Sequence, residues 1–255
     1  MTSVHVSAST GYQTAADTYA RGRPDYPTAL DAWLRDTLRL GPGRTVLDLG
    51  AGTGKFTTRL AETGATVIAV EPVEAMRLRL AADLLDVKAL AGSAEAIPVA
   101  DASVDALVCA QAFHWFATKA ALDEMHRVIA PGGRLGLVWN VRDETVPWVA
   151  RLTELITPYE AGTPRFHTGD WRKPFPHPGF GPLEETRIPH GHTGPAEQVI
   201  VDRILSVSFI AALPPDERQR LAGRIRNLIA SDPTLAGKAE VTFPYVTLAI
   251  AADRL

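Results

Sequence analysis

From residue 45 to residue 140, short apolar runs alternate with longer stretches whose apolar residues recur every three or four positions. The short runs are TVLDLG (45–50), TVIAVE (66–71), VKALAG (87–92), VDALVCAQ (104–111) and RLGLVWN (134–140). They are rich in Val, Leu, Ile and Ala and alternate poorly between polar and apolar, as strands do when both faces of a parallel sheet are covered. GKFTTRLAETG, PVEAMRLRLAADLL and ATKAALDEMHRVIA lie between strands and have helical spacing. Gly64 falls where a C-terminal cap belongs, and Pro131-Gly132-Gly133 ends the last of these helices. The pattern predicts an α/β fold: a Rossmann-like open sheet, mostly parallel, joined by right-handed crossovers with helices on both faces.

The flanks read differently. TALDAWLRDTLRL (28–40) is an amphipathic helix that covers one face, and DTYARGRPDYP before it mixes aromatic residues with arginine. Six of the 19 prolines fall between 157 and 182, which predicts a loop-rich cover. LEETRIPHGHT (183–193) reads as a strand returning to the sheet. PAEQVIVDRILSVSFIAAL and PPDERQRLAGRIRNLIASD read as helices, the second with proline in its first turn. VTFPYVTLAIAADRL (241–255) reads as a closing strand. The expectation is one domain over 1–255: an arm and helix (1–44), a core (45–140), a variable cover (141–240) with a strand near 183–190, and the closing strand (241–255).

Composition narrows the function classes. A chain of 255 residues, 46% hydrophobic, can bury a substantial core. A formal net charge of -3 gives no electrostatic reason to expect a nucleic-acid partner. The single cysteine, Cys109, sits in an apolar run and reads as a small core residue. The N-terminus has no apolar core of signal-peptide length, and nowhere do 18 apolar residues run together. A soluble, cytoplasmic protein acting on a small molecule is expected, with no membrane partner. A homodimer through the helices after residue 195 is compatible with the periodicity, which does not separate a dimer face from a core face.

The chemistry concentrates in VLDLGAGTGKF (46–56). Glycines between a strand and a helix let the backbone approach a ligand and aim helix N–H groups at it. A P-loop fails, because Gly54-Lys55 is followed by Phe56 and Leu49 stands where its first glycine belongs. A dinucleotide fingerprint is weakened, because its third glycine slot falls on Lys55 or Thr57, but it stays open. What remains is D-x-G-x-G-x-G: Asp48, Gly50, Gly52 and Gly54, with Ala51 between. A carboxylate at Asp48 repels a pyrophosphate and suits a ligand that brings its own cation. Glu71 ends the second strand, 21 residues after Gly50, where an acid can accept ribose hydroxyls. A ribose and a positive charge without phosphates describe S-adenosylmethionine, whose demethylated product is S-adenosylhomocysteine.

VLDLGAGTGKF, VIAVEP, GSAEAIP, QAFHWF and HRVIAPGGRL, in this order, resemble the small-molecule methyltransferases of the class I S-adenosylmethionine-dependent superfamily. The likeness is greatest to the group that includes trans-aconitate and ubiquinone/menaquinone-biosynthesis methyltransferases, and it is strong from about Tyr19 to Asn140. It implies a final antiparallel strand pair. It also implies cofactor contacts from Pro72 beside Glu71, from Met76 near the adenine, and from Ser93, Ala94 and Glu95 at the adenine edge. Gln111 then neighbours the methionine moiety and Arg23 its carboxylate, with Tyr19 and Tyr26 part of a lid or of a packed arm. His114 reads either as a general base or as a shaper of the pocket; Trp115, Trp139 and Asn140 face the substrate side. His190 and His192, two apart on one strand face, read as a substrate-facing or a surface pair, and no metal is expected.

The expected activity is methyl transfer to a small molecule with an O, N or C nucleophile, mainly by positioning and desolvation. An NAD-dependent oxidoreductase and a non-catalytic S-adenosylmethionine-binding protein are the competing readings.

Overall fold

The structure, a computed structural model, describes residues 24–160 and 162–255. Seven strands form one sheet: β1 (Thr45–Leu49), β2 (Thr66–Val70), β3 (Lys88–Leu90), β4 (Val104–Ala110), β5 (Ile129–Arg142), β6 (Glu184–Gly194) and β7 (Val241–Asp253). Their spatial order is β3-β2-β1-β4-β5-β7-β6. The first five are mutually parallel, and β7 runs antiparallel to both β5 and β6. The predicted open sheet with a closing antiparallel pair is therefore what forms.

Strand parity builds two cores. Leu47, Leu49, Leu107, Cys109, Leu135 and Leu137 project to one face, against α4 (Lys119–Val128) and the aromatic loop carrying Trp171 and Phe180. Val46, Val67, Ala106, Val108 and Val138 project to the other. There they meet Leu30, Trp33 and Leu34 of α1, which begins at Leu30–Ala32 and continues with wider turns over Trp33–Thr37, and Phe56 and Leu60 of α2 (Lys55–Ala61). α3 (Glu74–Asp83) links β2 to β3. Both faces being buried is why these runs lacked alternation.

Helices after β5 form a third core. α5 (Pro147–Ile156), α6 (Glu197–Asp202 continuing through Arg203–Leu205), α7 (Ser208–Ala211) and α8 (Pro215–Ser231) pack around Trp148, Val149, Leu152, Ile200 and Leu221. Val241, Phe243 and Tyr245 at the start of β7 belong to the same cluster, so this cap stands on the projecting end of the antiparallel strands.

Three boundaries differ from the sequence reading. Residues 195–213 do not form one helix, because the chain turns at Ser206–Val207, where Val207 is extended. β5 starts at Ile129 and not at Arg134: Ile129 pairs with Val104, and the register then shifts so that Arg134 meets Ala106. α4 accordingly ends at Val128, ahead of Pro131-Gly132-Gly133. α5 was not anticipated at all. Among the described residues no helix is long and apolar enough to cross a membrane.

Candidate functional site

β1 and β4 are neighbours, but α2 after β1 and α4 after β4 pack on opposite faces of the sheet. The carboxyl ends of these strands therefore diverge into a crevice, the place where open α/β sheets bind ligands.

The glycine loop forms its floor. Gly50, Gly52 and Gly54 have φ of 75°, 58° and 89°, a left-handed region costly for side-chain-bearing residues. A Cβ on Gly50 would also lie 2.7 Å from Ala112 Cβ, so the β1 and β4 loops touch here through a missing side chain. Gly54 precedes the first turn of α2. Asp48 is 1% exposed and accepts a hydrogen bond from Thr57 Oγ1 at 2.7 Å. Burial pushes its carboxyl up to about 7 against the help of Thr57, and the Glu71 charge adds to the rise. With Gly50, Ala51 and Gly52 it lines a cavity of about 600 Å³, part of it open solvent.

Glu71 is buried at the end of β2. Its Oε2 accepts the Gly52 N–H and its Oε1 the Val73 N–H, both at 2.9 Å. Burial raises its pKa and these two bonds oppose the rise. Each oxygen keeps lone-pair capacity for a further donor. Pro72 follows it, and Met76 on α3 brings its Sδ to 4.0 Å from where a Gly52 Cβ would stand. Ser93 bridges Ala96 in a tight turn, Ala94 is buried in the sheet core, and Glu95 is half-buried.

Gln111 follows β4 with φ of 60°, strained for a residue with a side chain. Its N–H is held by Val138 O at 2.8 Å, and it lines the glycine-loop cavity and a second cavity of about 740 Å³, also partly open. Asn140 and Arg203 line both as well, so the two cavities are neighbours. Asn140 Nδ2 donates to Asp25 O at 3.3 Å and its Oδ1 accepts from Thr247 Oγ1 at 2.6 Å, which ties the segment around Tyr26 over the crevice. Tyr26 is buried with its ring edge-on to Phe56 at 4.7 Å, a packed residue that also borders the first cavity.

His114, Trp115 and Trp139 line the second cavity. Trp139 Nε1 donates to His114 Nδ1 at 3.2 Å. A neutral imidazole accepting at Nδ1 carries its proton on Nε2. Trp148, in contrast, packs on Phe243 at 5.0 Å inside the cap.

His190 and His192 share a face of β6, half-buried, with Nε2 of one and Nδ1 of the other buried without a hydrogen-bond partner among the described residues. Burial pushes both imidazoles down, and they feel Lys55 and Asp25. Lys55 and Asp25 pair at 3.0 Å beside the first cavity. Neither histidine is among the residues lining the two cavities. No group of three or more His, Cys, Asp or Glu side chains among the described residues is placed to hold a metal. Tyr19 and Arg23 lie outside the described residues.

The sequence reading missed Thr57, Arg142, Arg165 and Arg203. Signals existed for two of them: Arg142 follows Asn140 at strand spacing, and Arg203 interrupts the apolar run of α6.

A methyltransferase-domain family profile matches residues 47–137. An uncharacterised methyltransferase of Mycobacterium bovis is 40% identical over 252 residues, covering 99% of both chains. An uncharacterised methyltransferase-like protein of Schizosaccharomyces pombe is 35% identical over 244 residues, 95% of both. A solved structure from Anaeromyxobacter dehalogenans, a proposed type II methyltransferase, superposes with a TM-score of 0.67 at 28% identity, covering 91% of this chain and 96% of that one.

Proposed function

The chain belongs to the class I S-adenosylmethionine-dependent methyltransferases, and from that premise we propose that it methylates a small-molecule acceptor seated in the second of the two neighbouring cavities. The observation that carries the reading is Asp48: a desolvated carboxyl group beside a left-handed glycine loop, at a cavity that shares Gln111, Asn140 and Arg203 with a second one. This fits a donor that brings positive charge and fits a pyrophosphate poorly. Family membership sets the nicotinamide reading aside.

The residues divide the donor between them. Asp48 faces the ammonium, and Gly50, Ala51, Gly52 and Gly54 let the backbone approach. Glu71, already fixed by two backbone N–H groups, accepts the ribose hydroxyls with its remaining lone pairs. Pro72, Met76, Ser93, Ala94 and Glu95 border the adenine side, and Gln111 stands between donor and acceptor. When bound, the cofactor supplies a methyl carbon on a sulfonium, a group that leaves readily as a neutral thioether.

The protein's part is then to hold the acceptor in line and keep water out, and such positioning accounts for roughly 7–11 kcal/mol of barrier. Trp115, Trp139 and Phe166 form an aromatic wall around the acceptor space. His114, its proton held on Nε2 by Trp139, orients the acceptor as a hydrogen-bond donor. Asn140 keeps the Asp25–Tyr26 segment over the junction.

Calorimetric titration with S-adenosylmethionine, S-adenosylhomocysteine and NADH tests this. We expect micromolar binding of the first two and silence from NADH. Binding of NADH alone would overturn it.

A further inference from the structure

Thr57 carries a hydroxyl where packing alone would favour valine. It is the third residue of α2 and is fully buried. Valine has the same shape and buries more apolar surface, whereas a buried hydroxyl costs stability unless it is bonded. The neighbouring Thr58 shows the ordinary way out: its Oγ1 donates back to Gly54 O at 3.2 Å, at the start of its own helix. Thr57 instead reaches out of the helix to β1, where its Oγ1 donates to Asp48 Oδ2 at 2.7 Å.

The groups around Asp48 pull its proton in opposite directions. Burial and the Glu71 charge at the end of β2 both disfavour the carboxylate. Cys109 on the adjacent β4 feels the Asp48 charge, and burial pushes its thiol up, so it stays neutral. Lys55 of α2 and Arg203 of α6 line the same cavity, Lys55 paired with Asp25 at 3.0 Å. Thr57 opposes the rise, because an O–H donor stabilises a carboxylate more than it stabilises the acid. The carboxyl comes to rest at about 7, where a change in one hydrogen bond alters its charged fraction most.

We propose that Thr57 is a positioning residue for donor binding: its hydroxyl fixes the Asp48 carboxyl beside the glycine loop and holds it in the charged form that the donor's ammonium needs. This rests on the reading above, in which Asp48 faces that ammonium. Thr57 lines neither cavity, so it acts through Asp48 and not on a ligand. Below pH 7 donor binding sends the Asp48 proton to solvent, and Thr57 sets how far down in pH that exchange stays favourable.

The test is calorimetry with S-adenosylhomocysteine on the wild type, Thr57→Val and Thr57→Ser at pH 6, 7 and 9. Each variant is compared with the wild type at the same pH, so the ligand's own titration cancels. Loss of the hydroxyl should move the Asp48 titration up by about one pH unit. Thr57→Val should then bind about tenfold more weakly at pH 6, about fivefold at pH 7 and within about twofold of the wild type at pH 9. Thr57→Ser keeps the donor and should stay within about twofold throughout. Thr57→Ala serves should Thr57→Val not fold. A loss of the same size at all three pH values marks a structural role and overturns the proposal, as does wild-type affinity at pH 6 without the hydroxyl. 5′-Methylthioadenosine, which keeps the adenosine and lacks the ammonium, separates the proposal from its premise. It should bind Thr57→Val and the wild type alike at every pH. If it shows the same pH-dependent loss as S-adenosylhomocysteine, the assignment of Asp48 to the ammonium has failed, and the proposal falls with it.

Discussion

Asp48 is a carboxyl group that burial keeps from ionising freely. It has one hydrogen bond, from Thr57, and burial lifts its carboxyl to about 7. In the free protein it holds a proton that the unfolded chain releases near 4, so its contribution to stability is complete below that and is lost as pH rises from about 4 through 7. A cation beside it favours the charged form, so ligand binding must expel the proton below pH 7. We therefore expect the affinity for S-adenosylhomocysteine to fall as pH drops below 7, approaching about tenfold per unit, and to level off above 8. Calorimetry between pH 5.5 and 8.5 reads this directly. Asp48→Asn should bind more weakly and lose the slope; a slope kept in that variant assigns the proton elsewhere. Glu71 differs, because it fastens Gly52 and Val73, so replacing it loosens the loop itself.

At the scale of elements, the glycine loop is legible because its conformation demands its sequence. Gly50 combines a left-handed φ with a 2.7 Å approach to Ala112 Cβ, whereas Gly132 has φ of 77° and open space around it. Gly132→Ala should cost about 1–2 kcal/mol, the left-handed term alone. Gly50→Ala adds overpacking between the β1 and β4 loops and should cost about 2–5 kcal/mol with loss of cofactor binding. Urea unfolding of both variants checks the difference, and equal costs would show that the β4 loop moves aside freely. β5 was harder to read. The Pro-Gly-Gly turn looks like a helix stop, but Gly133 lies so close to Asp105 O that a Cβ there would stand 2.5 Å away, and the strand has already begun at Ile129. Its far end also runs past Asn140 to Arg142, and that extension places a guanidinium in the lining of the second cavity.

Across the whole molecule, the glycine-loop crevice lies under the segment that Asn140 holds, and the second cavity is walled by the aromatic loop and the cap. A ligand bridging these parts should raise the stability of all of them together. At about 100 times its dissociation constant, S-adenosylhomocysteine should add about 2.7 kcal/mol. For a chain of this size that raises Tm by roughly 5–11 °C. Scanning calorimetry with and without the ligand measures the shift, and an unmoved Tm at saturation would contradict specific binding to the native state.

The sequence alone determined the sheet, because strands buried on both faces need unbroken apolar runs and their crossovers need helical spacing. It also marked the glycine loop, because left-handed turns need glycine. Only the tertiary structure assembled the second cavity. Arg142, Arg165 and Arg203 come from β5, the aromatic loop and α6, far apart in the chain, and no local pattern records that they meet. The same holds for His114, whose proton is assigned by Trp139, 25 residues away. Local pattern fixes backbone conformation; the charge and tautomer of a site depend on neighbours that only folding supplies.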